Sequence, residues 1–194
     1  MKVISGGQTG VDQTALRTAR AFGYETGGTA ARGWKTDAGP SPWLADYGLV
    51  ECRFNGYRPR TIQNVIDADC TVWFGDRDSP GGRLTLSTCV RLEKRYLVNP
   101  TATELCAALE TVKVLNVAGN RLRINPAASA QAHQVLKEAL APVDANSRLK
   151  HERQTGDLIL DMIQRDTAKA KGRPVEEHPD ECQCFACMFS GRNL

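Results

Sequence analysis

The stretch Lys2-Val3-Ile4-Ser5-Gly6-Gly7-Gln8-Thr9-Gly10-Val11-Asp12 constrains this chain more than any other. It reads as a short buried strand, a glycine-rich turn and the first turn of a helix running to about Phe22. Glycines there let the backbone take positive φ and let another group approach closely. The helix that follows would aim its free N–H groups and positive dipole end at the turn, where a phosphate is the usual occupant. The glycines at 6, 7 and 10 fit neither G-x-x-x-x-G-K-[ST] nor G-x-G-x-x-G, so the two familiar nucleotide fingerprints are absent. A plain β-to-α turn without a ligand is the alternative.

Apolar runs alternate with helix-period segments along the chain, the pattern of a doubly wound, mainly parallel α/β sheet with helices on both faces. Strands are expected near Lys2 to Ser5, Tyr24 to Thr26, Val50 to Arg53, Cys70 to Phe74, Tyr96 to Val98 and Val112 to Val117. Helices are expected near Val11 to Phe22, Thr61 to Ala68, Thr85 to Lys94, Ala102 to Glu110 and Ala127 to Ala141. Thr101 with Glu104 fits a capping box, and Gly23 fits a helix stop. A strand order of 3-2-1-4-5-6 would put the ligand crevice beside the first strand. The 194 residues suit one such domain over 1–142 and a C-terminal extension over 143–194.

Gly27 to Gly48 breaks this pattern, with no clear periodicity. Trp34, Trp43 and Tyr47 argue for an ordered loop over the crevice, with Arg32, Lys35 and Asp37 as candidate contacts. A second glycine turn, Gly75-Asp76-Arg77-Asp78-Ser79-Pro80-Gly81-Gly82-Arg83-Leu84-Thr85, repeats the opening logic. With its helix starting near Thr85, it would face the same crevice from an adjacent strand. Gly81, Gly82 and Arg83 would hold a second phosphate, with Thr85 as ligand contact or helix cap. Leu115-Asn116-Val117-Ala118-Gly119-Asn120-Arg121 ends a third apolar run, so Asn120 and Arg121 join the candidates, with a plain turn as the other reading. The binding set is Gly6, Gly7, Gln8, Thr9, Gly10, Asp12, Arg32, Asp76, Gly81, Gly82, Arg83, Thr85, Asn120 and Arg121.

Ser5 to Asp12 resembles the opening motif of the molybdenum-carrier family, related to YpsA, in the SLOG superfamily with the DprA and LOG groups. Asp37-Ala38-Gly39-Pro40, Thr61 with Asn64 before Asp67-Ala68-Asp69, and Leu115 to Gly119 are also similar. The resemblance spans roughly residues 1 to 141. It implies a Rossmann-like fold, a nucleotide-type or molybdenum-cofactor-like ligand, and homo-oligomers. LOG phosphoribohydrolases use P-G-G-x-G-T-x-x-E, with the glutamate in catalysis. Here Pro80, Gly81, Gly82 and Thr85 match, but Leu84 replaces the second glycine and Thr88 the glutamate. A carrier or sensor is therefore expected ahead of a nucleotide hydrolase, in which Asp12 or Asp76 would have to replace that acid.

Net charge is only +3, which argues against a DprA-like DNA-processing role. No apolar run suits a membrane span, and the N-terminal strand is unlike a signal peptide, so a cytoplasmic protein is expected. Of seven cysteines, Cys52, Cys70, Cys89 and Cys106 read as buried reduced thiols. A helix over Asn146 to Lys171 would follow Pro142. Beyond it, His178, Cys182, Cys184 and Cys187 could ligate zinc, form a redox pair or stay free thiols; only Cys184 and Cys187 have knuckle spacing. His133 and His151 read as surface residues.

Overall fold

The computed structural model describes residues 1–141. The helix expected over Asn146 to Lys171, His151 and the His178, Cys182, Cys184 and Cys187 cluster lie outside them. The six apolar runs all become strands: β1 (Lys2–Ile4), β2 (Glu25–Ala30), β5 (Leu49–Glu51), β6 (Cys70–Phe74), β7 (Arg95–Val98) and β8 (Val114–Gly119). The aperiodic stretch supplies two 3-10 turns, Arg32–Trp34 and Pro42–Tyr47, and a small antiparallel hairpin of β3 (Lys35–Thr36) and β4 (Gly39–Pro40). Its order comes from burial: Leu44 is fully enclosed with Leu16, Ala30 and Leu49, and Trp34 and Tyr47 pack against them.

The helices are α1 (Val11–Ala21), α2 (Tyr57–Asp67), α3 (Pro80–Arg91), α4 (Ala102–Leu109) and α5 (Pro126–Leu140). The Thr101–Glu104 capping box forms, and Gly23, at φ 78°, follows the end of α1. Two helices start earlier than expected. Pro80 takes the first position of α3, where a missing N–H costs nothing, and Ser79 caps it by accepting from Gly82 N–H. Thr85 is thus a buried mid-helix residue, not a cap. Pro59 likewise falls in the first turn of α2.

All pairings in the main sheet are parallel, and its order is β5-β2-β1-β8-β6-β7. This corrects the expected 3-2-1-4-5-6: the last strand inserts between β1 and β6. The physical reason is two-sided burial. Leu115, Asn116, Val117 and Ala118 are all buried, which only a central strand covered on both faces allows. Arg95 and Tyr96 of β7 are exposed and sit at an edge. Counted from β8, the strands β8, β1, β2 and β5 are consecutive neighbours, with β6 and β7 on the other side of β8.

One face is covered by α1, α4 and α5, whose Val11, Ala15, Leu105, Ala132 and Leu136 meet Val3, Val72, Phe74, Leu115 and Val117. On the other face Leu86 of α3 meets Trp73 and Ala118, and α2 is pinned to β2 by Asn64, whose Oδ1 accepts from Thr29 N–H (2.8 Å) and whose Nδ2 donates to Thr29 C=O (3.0 Å). Cys52, Cys70 and Cys89 are buried free thiols, but Cys106 of α4 is exposed, correcting the expectation for that residue.

Asp69 closes the start of β8, accepting from Lys113 N–H (2.9 Å) and Val114 N–H (2.8 Å). The Val114 bond, then the Lys113 bond, hold its carboxyl below the ordinary value. A depressed folded pKa gives stability that is present above the unfolded value and lost as pH falls through the folded one. Asp69→Ala is expected to cost about 1 kcal/mol at pH 7, discounted for exposure. Urea titrations should show the gap closing as the pH falls below 3.8.

Candidate functional site

The opening turn leaves β1 at Ser5, whose buried hydroxyl donates to Val117 C=O of the neighbouring strand (2.6 Å). Its glycines answer to different neighbours. A Cβ on Gly7 would strike Leu44 at 2.7 Å and Leu49 at 2.9 Å, so this residue faces the apolar floor. Gly10 has φ 97° and ψ −130°, and a Cβ there would meet Leu122 N at 2.5 Å and Asn120 O at 2.7 Å. A Cβ on Gly6 would collide with the guanidinium of Arg60, which lies directly over the turn.

At the N-terminus of α1 several N–H groups already have backbone acceptors. Asn120 C=O accepts from Val11 N–H (3.4 Å), Gln8 C=O from Gln13 N–H (3.2 Å) and Gly10 C=O from Thr14 N–H (3.0 Å). Asp12, side chain 3% exposed, brings its own carboxylate into this end, accepting from Gln8 N–H (3.2 Å) and facing Arg60 Nη1 at 3.4 Å. Burial pushes the Asp12 pKa up, against the pull of Arg60 and of the Gln8 and Gly119 N–H groups.

What remains open is donated by side chains. Gln8 is 4% exposed; its Oε1 accepts from Thr9 N–H (2.9 Å) and Asp37 N–H (2.8 Å), while its Nε2 has no partner among the described residues. Arg60, side chain 12% exposed, also holds a buried Nε without a partner among the described residues. Two buried donors lacking acceptors beside one glycine turn are costly unless an acceptor arrives. The β3–β4 hairpin reaches over this point: Asp37 Oδ1 meets Arg121 Nη1 at 2.7 Å and Asp37 Oδ2 meets Arg123 Nε at 3.8 Å. The Arg121 guanidinium lies 4.8 Å from the Tyr57 ring centre, and that of Arg60 lies 6.0 Å from it. Gly6, Gln8, Thr9, Gly10, Asp12, Asp37 and Arg121 therefore share one cluster.

The second glycine turn lies two strands from the first, with β8 between, so the two are not on adjacent strands. It is braced internally. Asn120 Oδ1 accepts from Asp76 N–H (2.7 Å) and its Nδ2 donates to Ser79 Oγ (3.2 Å). Asp76 Oδ1 accepts from Asp78 N–H (2.9 Å), and Asn99 bonds both N–H and C=O of Gly75. Gly82 sits in the first turn of α3, Thr85 is 2% exposed in its middle, and Gly81 and Arg83 are exposed. Arg32 lies apart from the cluster, donating to Arg53 C=O (3.1 Å). His133 Nδ1 lies 3.0 Å from the Thr18 hydroxyl on the α1–α5 side.

Sequence reading missed Arg60, Tyr57 and Asn99. Arg60 was hidden because Pro59 reads as a boundary that pushes the helix start to Thr61. The Tyr57-Arg58-Pro59-Arg60 run after Gly56 was the available signal, as Pro in a first turn is tolerated.

An all-parallel central sheet with helices on both faces and a glycine-rich β-to-α turn at its carboxyl edge defines a Rossmann-like α/β protein. The chain belongs to the Circularly permutated YpsA SLOG family, whose model matches residues 3–140. The crystal structure of "Putative molybdenum carrier protein" from Syntrophus aciditrophicus SB is similar, with TM-score 0.63 and 28% identity, covering 72% of this chain and 94% of that one. No curated protein matches the chain. Among the described residues, no helix is long and apolar enough to cross a membrane and no three metal-ligating side chains gather.

Proposed function

We propose that this chain binds a small ligand bearing a tetrahedral oxyanion, a nucleotide or a phosphorylated nucleotide-like cofactor, and serves as a carrier or sensor without turnover. The observation that carries this reading is two buried donors without a partner among the described residues, Arg60 Nε, whose guanidinium lies against Gly6, and Gln8 Nε2 of the same turn. A guanidinium suits an oxyanion through its planar fork, and the missing Cβ of Gly6 leaves it room. The name of the similar crystal structure points the same way, since molybdate and the phosphate of a pterin cofactor share tetrahedral oxyanion chemistry. Exposed Phe54, Leu122 and Ile124, on the loops after β5 and β8, offer apolar surface for the flat part of such a ligand.

Two carboxylates could have served a hydrolase, and both are committed elsewhere. Asp12 is enclosed by Arg60 and backbone N–H groups, and Asp76 holds its own turn. Thr88, at the position of the LOG glutamate, donates to Leu84 C=O. The carrier reading is favoured for that reason.

A thermal-shift panel of AMP, ADP, ADP-ribose, NAD, a pterin phosphate and molybdate tests it on the full chain. A ligand at 100 times its Kd should add about 2.7 kcal/mol, raising Tm by roughly 5–10 °C. Arg60→Lys keeps a cation beside Asp12 but loses the fork, and should weaken that ligand at least tenfold. No shift from any member of the panel would sink the reading. Product formation by the wild-type protein would replace it with the hydrolase.

A further inference from the structure

The outer side of α3 carries a second cationic feature that the opening turn does not share. A concavity of about 630 Å³ is lined by Arg58 from the first turn of α2 and by Arg83, Leu84, Ser87, Thr88 and Arg91 along α3. No residue of the opening turn lines it. Arg83, Ser87 and Arg91 recur every four residues, so they lie along one stripe of the helix. At ~1.5 Å of rise per residue the two arginines are anchored roughly 12 Å apart, with Arg58 facing them across the groove. Among the described residues, none of the three guanidinium groups is within 4.0 Å of a carboxylate, whereas Arg60, Arg121 and Arg123 all are.

We propose that this groove is an anion site separate from the opening-turn site, and that it takes a linear oligophosphate. Three guanidinium forks spread along a groove match an anion with several linked tetrahedral oxyanions better than a single phosphate. The hydroxyl of Ser87 adds a donor on the same stripe. Among the described residues the lining contains no aromatic side chain. Nothing there can stack a base, which is what single-strand nucleic-acid grooves combine with their cations. The groove therefore recognises the phosphate chain itself. A multivalent contact of this kind falls off with salt as several counterions are released together.

The experiment is calorimetric titration of the full chain with inorganic tripolyphosphate in 150 mM NaCl, in the wild type and in an Arg60→Lys background. The expected result is a saturable site that persists in Arg60→Lys and weakens at least tenfold in Arg83→Ser and again in Arg91→Ser. Orthophosphate should bind at least tenfold more weakly than tripolyphosphate. The three arginines are exposed, so these variants should keep the wild-type Tm. Lysine at position 83 should recover part of the affinity. Binding lost with Arg60→Lys but kept in the Arg83→Ser/Arg91→Ser double variant would overturn the proposal. Equal binding of a polyglutamate of matched charge would overturn it in favour of an acidic peptide. Tighter binding of oligothymidylate would do so in favour of nucleic acid.

Discussion

Arg60→Met is expected to lower the stability of the protein by about 3 kcal/mol at pH 7 and to abolish oxyanion binding at the opening turn. The stability loss comes from Asp12, which would keep a buried carboxylate with its cation removed. The Tm should fall by roughly 6–12 °C for a domain of this size. Burial already raises the Asp12 pKa, and losing Arg60 removes the largest opposing influence, so the folded value rises further. An acid with a raised folded pKa is most stabilising below its unfolded value, and that contribution is lost as pH rises through the folded value. The deficit of the variant should therefore be largest at neutral pH and shrink as the pH is lowered toward 3.8. Adding Asp12→Asn to Arg60→Met should restore most of the Tm, because the buried charge is then gone. It should not restore binding. A double variant that stays as unstable as the single one would mean that Arg60 acts by packing, not by pairing.

Gly10→Ala is expected to be the most damaging glycine substitution in the opening turn, costing about 3 kcal/mol or more. Its φ of 97° with ψ −130° lies in a region nearly reserved for glycine. A Cβ would also press into backbone, Leu122 N at 2.5 Å and Asn120 O at 2.7 Å, which cannot rotate away as a side chain could. Gly23→Ala is the control. It also has positive φ, 78°, but a Cβ there meets nothing within 4 Å among the described residues, so the cost should stay near 1 kcal/mol. Urea midpoints of the two variants compare them directly; equal losses would mean that φ alone, not the crossing of two chain segments, demands glycine at position 10.

These two variants also mark how far the sequence could be read. The strand, the glycine turn and the helix from Lys2 to Ala21 were legible because apolar run, turn residues and helical period agree locally. The capping box at Thr101 was legible for the same reason. Strand order was not, because the placement of β8 between β1 and β6 is decided by pairings more than 40 residues away in sequence, such as Val72 with Val117. The glycines of the opening turn look alike in sequence, yet Gly7 faces Leu44, Gly10 faces the Asn120–Leu122 backbone and Gly6 faces Arg60. A glycine states that something comes close without naming it. Arg60 escaped notice because its helix begins three residues before it, ahead of a proline.

The central position of β8 also has a kinetic side. It is the last strand of the sheet to be synthesised, and both of its neighbours are made earlier. Until residue 119 is available, β1 and β6 each present an open parallel edge with no partner on that side, and the Val3, Val72 and Phe74 side chains lack their central layer. Folding on the ribosome should therefore pause with two half-sheets, β5-β2-β1 and β6-β7, and close in one late step. Loop closure over that span slows the step. Unpaired edges of this kind invite pairing with other chains. Chains truncated before β8 should aggregate where the chain through α5 does not.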